Sequence, residues 1–237
     1  MASAAVLAVE VPREAGKTKD MAGNFKFTQE EKDRIENAVA ALEKESSGEI
    51  VVYFGKSSYD YLDVRWFVAS FFGIVTMVVL LALYYLWLIP GWFDLPYQIG
   101  LIILFMLFGF LSVTFSTRLR VVLVNDKVAQ HHVNQRTETI FLEEEIHLTR
   151  DRTGILIFIS EAEHKVVVMA DKGINKVVDQ KDWDEVVGLI INGIKNKKIV
   201  EGIVEAIESC KKLLLDRGFV VREDDTDELS NELRTDD

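Results

Sequence analysis

Two long stretches without a charge constrain this chain more than any other feature. Trp66 to Phe93 runs for 28 residues with no charged side chain, and Leu95 to Thr117 for another 23. A helix needs about 20 consecutive apolar residues to cross the hydrocarbon core of a bilayer. A buried helix of a soluble bundle seldom runs so far without a polar face. Between the two, Pro90-Gly91-Trp92-Phe93-Asp94-Leu95-Pro96 breaks the helix and carries a carboxylate that requires water. The pattern predicts a transmembrane helical hairpin over 64–117, with spans at about 66–89 and 97–117.

The flanks of the hairpin predict its orientation. Tyr84, Tyr85, Trp87, Trp92 and Tyr97 gather around the turn, with Trp66 at the opposite end, as aromatic side chains do at the two membrane–water interfaces. Lys56 and Arg65 precede the first span and Arg118, Arg120 and Lys127 follow the second, whereas the turn has no basic residue. The excess of basic residues on the cytoplasmic side of known membrane proteins therefore predicts that the soluble part and both termini face the cytoplasm, in a bacterial inner (plasma) membrane. Neither span contains an ionisable group, so the hairpin reads as an anchor in the lipid bilayer rather than an ion pathway. A homo-oligomer formed through the hairpin is a further expectation.

Charge and composition bound the rest. A net charge of -11 argues against a nucleic-acid partner, because a phosphate backbone calls for a basic footprint. Residues 222–237 hold eight carboxylates and only Leu229 and Leu233 as large apolar residues, so 219–237 is expected to be a disordered acidic tail. Residues 1–27 are expected to form a flexible arm. Met1 to Val9 is apolar but short, has no basic leader and runs into Glu10 and Pro12, which does not read as a signal peptide. Residues 1–20 read as a loose arm or as an upstream choice of start codon, with Met21 the other candidate start. The lone Cys210 forms no internal disulfide and falls on an apolar helix face, where a core thiol is expected.

The soluble domain is read in two parts, 28–63 and 118–218. Thr28-Gln29-Glu30-Glu31 is a capping box, followed by Ile35, Ala38, Val39 and Leu42 at helical spacing. Glu49 to Gly55 reads as a buried strand. Asn125 to Arg150 reads as mostly helical, with a ragged apolar stripe. Gly154 to Ser160 and Lys165 to Ala170 read as a strand pair joined by four residues, a length typical of hairpins. Two amphipathic helices follow, the first running from Trp183 with Asp182 as its expected N-cap, the second ended by Gly218. That order implies an α/β fold, an α/β/α sandwich around a small mixed sheet with the two-helix hairpin inserted.

The same order carries a resemblance. Ser46-Ser47-Gly48-Glu49-Ile50 opens the first strand, Arg152-Thr153-Gly154-Ile155-Leu156-Ile157 the second, and Asp171-Lys172-Gly173-Ile174 closes the third, with Trp183 soon after. Over 28–56 and about 120–218 this resembles the TPM domain family, known from thylakoid lumen, photosystem II repair and receptor-modulator proteins. The resemblance implies an α/β/α sandwich and a site for a divalent cation, calcium or magnesium. It also implies either weak phosphatase activity or an accessory role in assembling membrane complexes. Two features depart from the family pattern: members usually carry a signal peptide and face away from the cytoplasm, and many have a membrane helix after the domain rather than a hairpin within it.

No catalytic signature stands out. There is no phosphate-binding glycine loop, no CxxC, no HExxH and no GxSxG. His131, His132, His147 and His164 do not show a ligand spacing, and Glu143-Glu144-Glu145 reads as a solvated helix face. Ser57 and Ser58 have the chemistry of nucleophiles, but the sequence names no base for them. Carboxylates at strand ends, Glu49, Asp151 and Asp171, are the candidate metal ligands, since hard cations collect oxygen donors from loops at a sheet edge. Strand directions inferred from connection lengths place all three at one edge. Two functions of different class follow: a non-enzymatic membrane-anchored module that binds an unknown membrane-protein client, or a divalent-cation-dependent hydrolase such as a weak phosphatase.

Overall fold

The protein is described from a computed structural model covering residues 5–10, 25–116, 123–222 and 228–236. It divides into two compact units, Met1–Tyr59 with Lys127–Asp237, and Asp60–Asp126.

The discontinuous unit is built on a sheet of order β1-β4-β3-β2-β5, with β1 Ala5–Glu10, β2 Glu49–Gly55, β3 Gly154–Ser160, β4 Lys165–Ala170 and β5 Arg234–Thr235. β2 and β3 run parallel, as the long connection between them requires, and β3 turns tightly into antiparallel β4. β2, β3 and β4 are apolar along nearly their whole length because both faces of the sheet are covered. On one face, Ile50, Val52, Phe54, Ile155, Ile157, Val166 and Val168 pack against α1 Gln29–Glu43, α6 Gln180–Lys195 and α7 Ile199–Asp216. On the other face, Val51, Leu156, Phe158, Val167 and Met169 pack against Val133, Ile140 and Phe141 of α4 Asp126–Glu143 and against Ile146. These three layers are the expected α/β/α sandwich. A helical turn, α5 Lys172–Asn175, joins β4 to α6.

Local chemistry sets the helix ends. Thr28 caps α1: its Oγ1 accepts from Glu31 N at 3.3 Å, and Glu31 Oε2 accepts from Thr28 N at 2.8 Å. The cap of α6 is Asp179 rather than the expected Asp182. Asp182 takes the third helical position instead, where its carboxylate accepts from Asp179 N at 3.2 Å. Gly218, at φ 87°, ends α7 in the left-handed conformation that glycine adopts without steric cost. Within the ragged stripe of α4, Thr137 is fully buried and its hydroxyl is satisfied by donating to Val133 O at 2.8 Å.

Both termini differ from expectation. Ala5–Glu10, within the stretch read as a flexible arm, forms β1 on the outer edge of β4, with Ala5 opposite Ala170 and Glu10 opposite Lys165. That pairing satisfies backbone groups the edge would otherwise expose. Residues 1–4 and 11–24, including Met21, lie outside the described residues. The tail is not disordered over 228–236: β5 pairs parallel to β2, Leu233 enters the larger core, and Leu229 packs against the smaller one. Two leucines cannot make a core of their own, but here they join cores already formed, which composition judged segment by segment does not register. Residues 223–227 and 237 are outside the description.

The second unit holds α2 Leu62–Tyr85 and α3 Leu95–Phe115, which pack antiparallel. Small residues line their seam: Gly73 lies under Met106, and Gly109 sits against Phe72 and the Val68 carbonyl. The first helix starts and ends four residues earlier than expected, since Trp87 turns left-handed at φ 55° ahead of Pro90. Asp94 caps α3, with Pro96 in its first turn. Residues 117–122, with Arg118 and Arg120, lie outside the description.

Candidate functional site

The strand directions bring chemistry-bearing side chains to both ends of the sheet. At one end stand Glu49, Asp151 and Asp171. Glu49 N donates to Thr153 O at 3.2 Å and Asp171 N to Gly154 O at 2.9 Å, which ties the start of β2, the approach to β3 and the end of β4 into one edge. The three carboxylates are nevertheless engaged separately. Asp171 Oδ1 accepts from Lys172 N at 2.7 Å, and its Oδ2 lies 3.5 Å from Arg152 Nη1. Asp151 is held by Arg222, and Glu49 Oε1 accepts from Glu228 N at 3.4 Å. Among the described residues, no three His, Cys, Asp or Glu side chains converge as a metal-binding group. The donor set as placed does not fit a calcium or magnesium ion, which requires several oxygens around one point.

The opposite end, where β2 finishes and the β3–β4 turn lies, holds a denser constellation. Glu163, 1% exposed, accepts from Ser57 Oγ at 3.1 Å and from Ser58 N at 3.1 Å, and from Ser160 Oγ. Ser58 Oγ in turn donates to Ser160 Oγ at 3.1 Å. Two hydroxyls therefore lead from half-buried Ser58 to a buried carboxylate. Buried Lys165 stands opposite Ser160 in the β3–β4 register. Glu161, on the same turn, accepts from Phe25 N at 3.1 Å, and burial raises its carboxyl above the usual carboxylate range against the opposing pull of that hydrogen bond and of Lys56. Tyr59, next to Ser58 in sequence, stacks on His132 with ring centroids 3.9 Å apart.

Chemically, the carboxylate of this cluster pins the chain where it leaves β2 to the turn between β3 and β4. The base that sequence reading did not find for Ser58 is Glu163, reached through Ser160. Its signal was the break in pattern at Ser160 and Lys165, polar residues at facing ends of two otherwise apolar strands.

Residues 111–213 match the family model of the TPM domain. Over that stretch the chain is similar to a TPM domain. α1 and β2 lie ahead of the matched residues but belong to the same compact unit, whose two stretches of sequence are separated by Asp60–Asp126. The NMR structure of the BA42 protein from the psychrophilic bacterium Bizionia argentinensis is similar, with a TM-score of 0.56 and 21% identity over 90% of this chain and 97% of that chain. At that identity the likeness concerns the fold. No curated protein matches the sequence.

Proposed function

We propose that this TPM-domain protein is anchored in a membrane and acts as an accessory or assembly module that binds a membrane-protein client. The observation that carries the reading is the outer surface of α2 and α3. Phe67, Ile74 and Phe115 are 71%, 61% and 84% exposed, part of an apolar surface of a kind that soluble proteins rarely leave uncovered. Lipid is the solvent such a surface fits, and both helices are long and apolar enough to span it. The basic residues on either side of the hairpin favour a cytoplasmic domain with both termini inside, in a bacterial inner membrane.

The test is extraction and topology in cells. The chain should stay with membranes through alkaline carbonate, a reporter after Gly218 should read as cytoplasmic, and one at Asp94 as external. Release by carbonate, or an Asp94→Cys thiol shielded from impermeant reagents in intact cells, would overturn the anchoring or its orientation. Crosslinking from native membranes should then recover a defined membrane protein. The competing reading, a hydrolase dependent on calcium or magnesium, is favoured only by the shared edge of Glu49, Asp151 and Asp171, and requires Arg222 and Arg152 to swing away. Turnover of a generic phosphomonoester by the full chain, dependent on either ion, would favour it.

A further inference from the structure

The two edges of β2 are used unequally. On one side the whole strand pairs with β3, from Glu49↔Gly154 to Gly55↔Ser160. On the other, among the described residues, only Tyr53 and Phe54 pair with a strand, the short β5. A backbone bond from Asp236 N to Phe54 O at 3.3 Å continues that contact, and side chains take two further N–H groups along this edge. Glu43 Oε1 accepts from Ile50 N at 3.5 Å, and Asp236 Oδ2 from Lys56 N at 3.1 Å. In a full parallel ladder, the carbonyls of a neighbouring strand would take these N–H groups. Each carboxylate thus stands where a strand carbonyl belongs.

The segment lying along this edge is held by separate anchors rather than by a ladder. Leu233 is buried in the larger core. Arg234 Nε donates to Glu144 at 2.9 Å. Asp236 accepts from the Tyr53 hydroxyl at 2.7 Å and lies 3.6 Å from Arg136. Glu228 Oε2 accepts from Arg150 N at 2.9 Å. An apolar strand cannot be left with an open edge in a soluble domain, so something must cover it. A cover that makes two rungs is replaceable by one that runs the length of β2 and reproduces the anchors, the mode in which extended peptides add to sheet edges.

We propose that the outer edge of β2 is a strand-docking site for a partner protein, with the C-terminal segment Glu228–Asp236 as the resident that the partner displaces. The occupant is an extended segment running parallel to β2, with an aliphatic residue followed by a basic one and, three after the aliphatic, a carboxylate. That is the pattern of Leu233, Arg234 and Asp236. The inference rests on the reading of the protein as an interaction module and supplies the place where the client binds. The tail also leaves a spectroscopic mark: burial, then the hydrogen bond and charge of Asp236, push the Tyr53 hydroxyl up to about 12, so displacement should bring its titration down.

The experiment uses the full chain in detergent micelles, a variant ending at Asp227, and the full-length double substitution Leu233→Ala with Asp236→Ala. The probe is a fluorescein-labelled peptide of the sequence of residues 228–237. Both variants should bind it saturably, and the unaltered chain at least roughly tenfold more weakly, because its own tail competes at a millimolar-scale effective concentration. Amides of Val52 and Phe54 should exchange faster in the variants and regain protection with peptide. No binding by either variant, equal binding by all three proteins, or undiminished binding when the peptide's second leucine and its first aspartate are replaced by alanine would overturn the proposal. An unaltered chain that is dimeric and becomes monomeric on truncation would also overturn it, since the occupant would then be the tail of a second copy. Carbonate extraction of each protein is read separately: release from membranes with peptide binding intact would count against the anchoring alone.

Discussion

Replacing Glu163 tests whether the serine–glutamate cluster is a structural staple. In Glu163→Ala, Ser160 Oγ and Ser58 N lose a buried charged acceptor, while Ser57 retains the Tyr59 carbonyl at 2.9 Å. Hydrogen bonds to charged groups are each worth about 1.5–3 kcal/mol, and a buried donor left without a partner costs about 1–3 kcal/mol. Two such donors give an expected loss of about 3–5 kcal/mol. Glu163→Gln should cost only about 1–2 kcal/mol. Its amide oxygen can serve Ser58 N, and Ser160, whose hydroxyl both donates and accepts, can reverse to receive the new N–H. Native-state amide exchange of the full chain in micelles measures this directly. Protection of the Ser58 amide should fall about a hundredfold or more in the alanine variant and about tenfold in the glutamine variant, at 1.4 kcal/mol per factor of ten. Equal losses in the two variants, or a loss below threefold in the alanine variant, would refute the reasoning.

Three further outcomes are expected. Because burial raises the Glu161 carboxyl, the folded state holds that proton more tightly than the unfolded chain, and stability falls as pH rises from the ordinary carboxylate value through the raised one. Glu161→Gln should therefore raise the melting temperature at neutral pH and flatten that fall; a lower melting temperature at pH 7 with the same slope would contradict it. Burial pushes the Cys210 thiol up to about 12, so maleimide should leave it unmodified in the native protein and react only on unfolding. Stoichiometric native labelling, read by intact mass, would count against this. A Cβ on Gly193 would lie 2.7 Å from the Gly202 Cα and 2.7 Å from the Lys198 carbonyl, so Gly193→Ala should cost about 1–3 kcal/mol by overpacking, and thermal melting at an unchanged temperature would argue against so close a crossing of α6 and α7.

The sequence by itself determined the elements whose signals are local. The periodicity of α1, α6 and α7, the three apolar strands at their observed bounds, and the long uncharged helices follow from residues within one or two turns of each other. Connection lengths then decided which strands run parallel, and so placed Glu49, Asp151 and Asp171 at one edge. Tertiary structure alone decided what those side chains do there. Arg222 meets Asp151 and Arg152 meets Asp171 because the folded chain brings separate segments together, and charge pairing across such separations leaves no local pattern. The Ser58–Ser160–Glu163 cluster was illegible for the same reason, since Ser58 and Ser160 meet only when β2 and β3 pair. The tail shows the limit most clearly. Its composition cannot support independent folding, yet Leu233 and Asp236 gain burial and hydrogen bonds from a sheet edge that costs nothing further to order. Entropy argues for disorder in the isolated segment, and an open edge on an already folded strand reverses the balance.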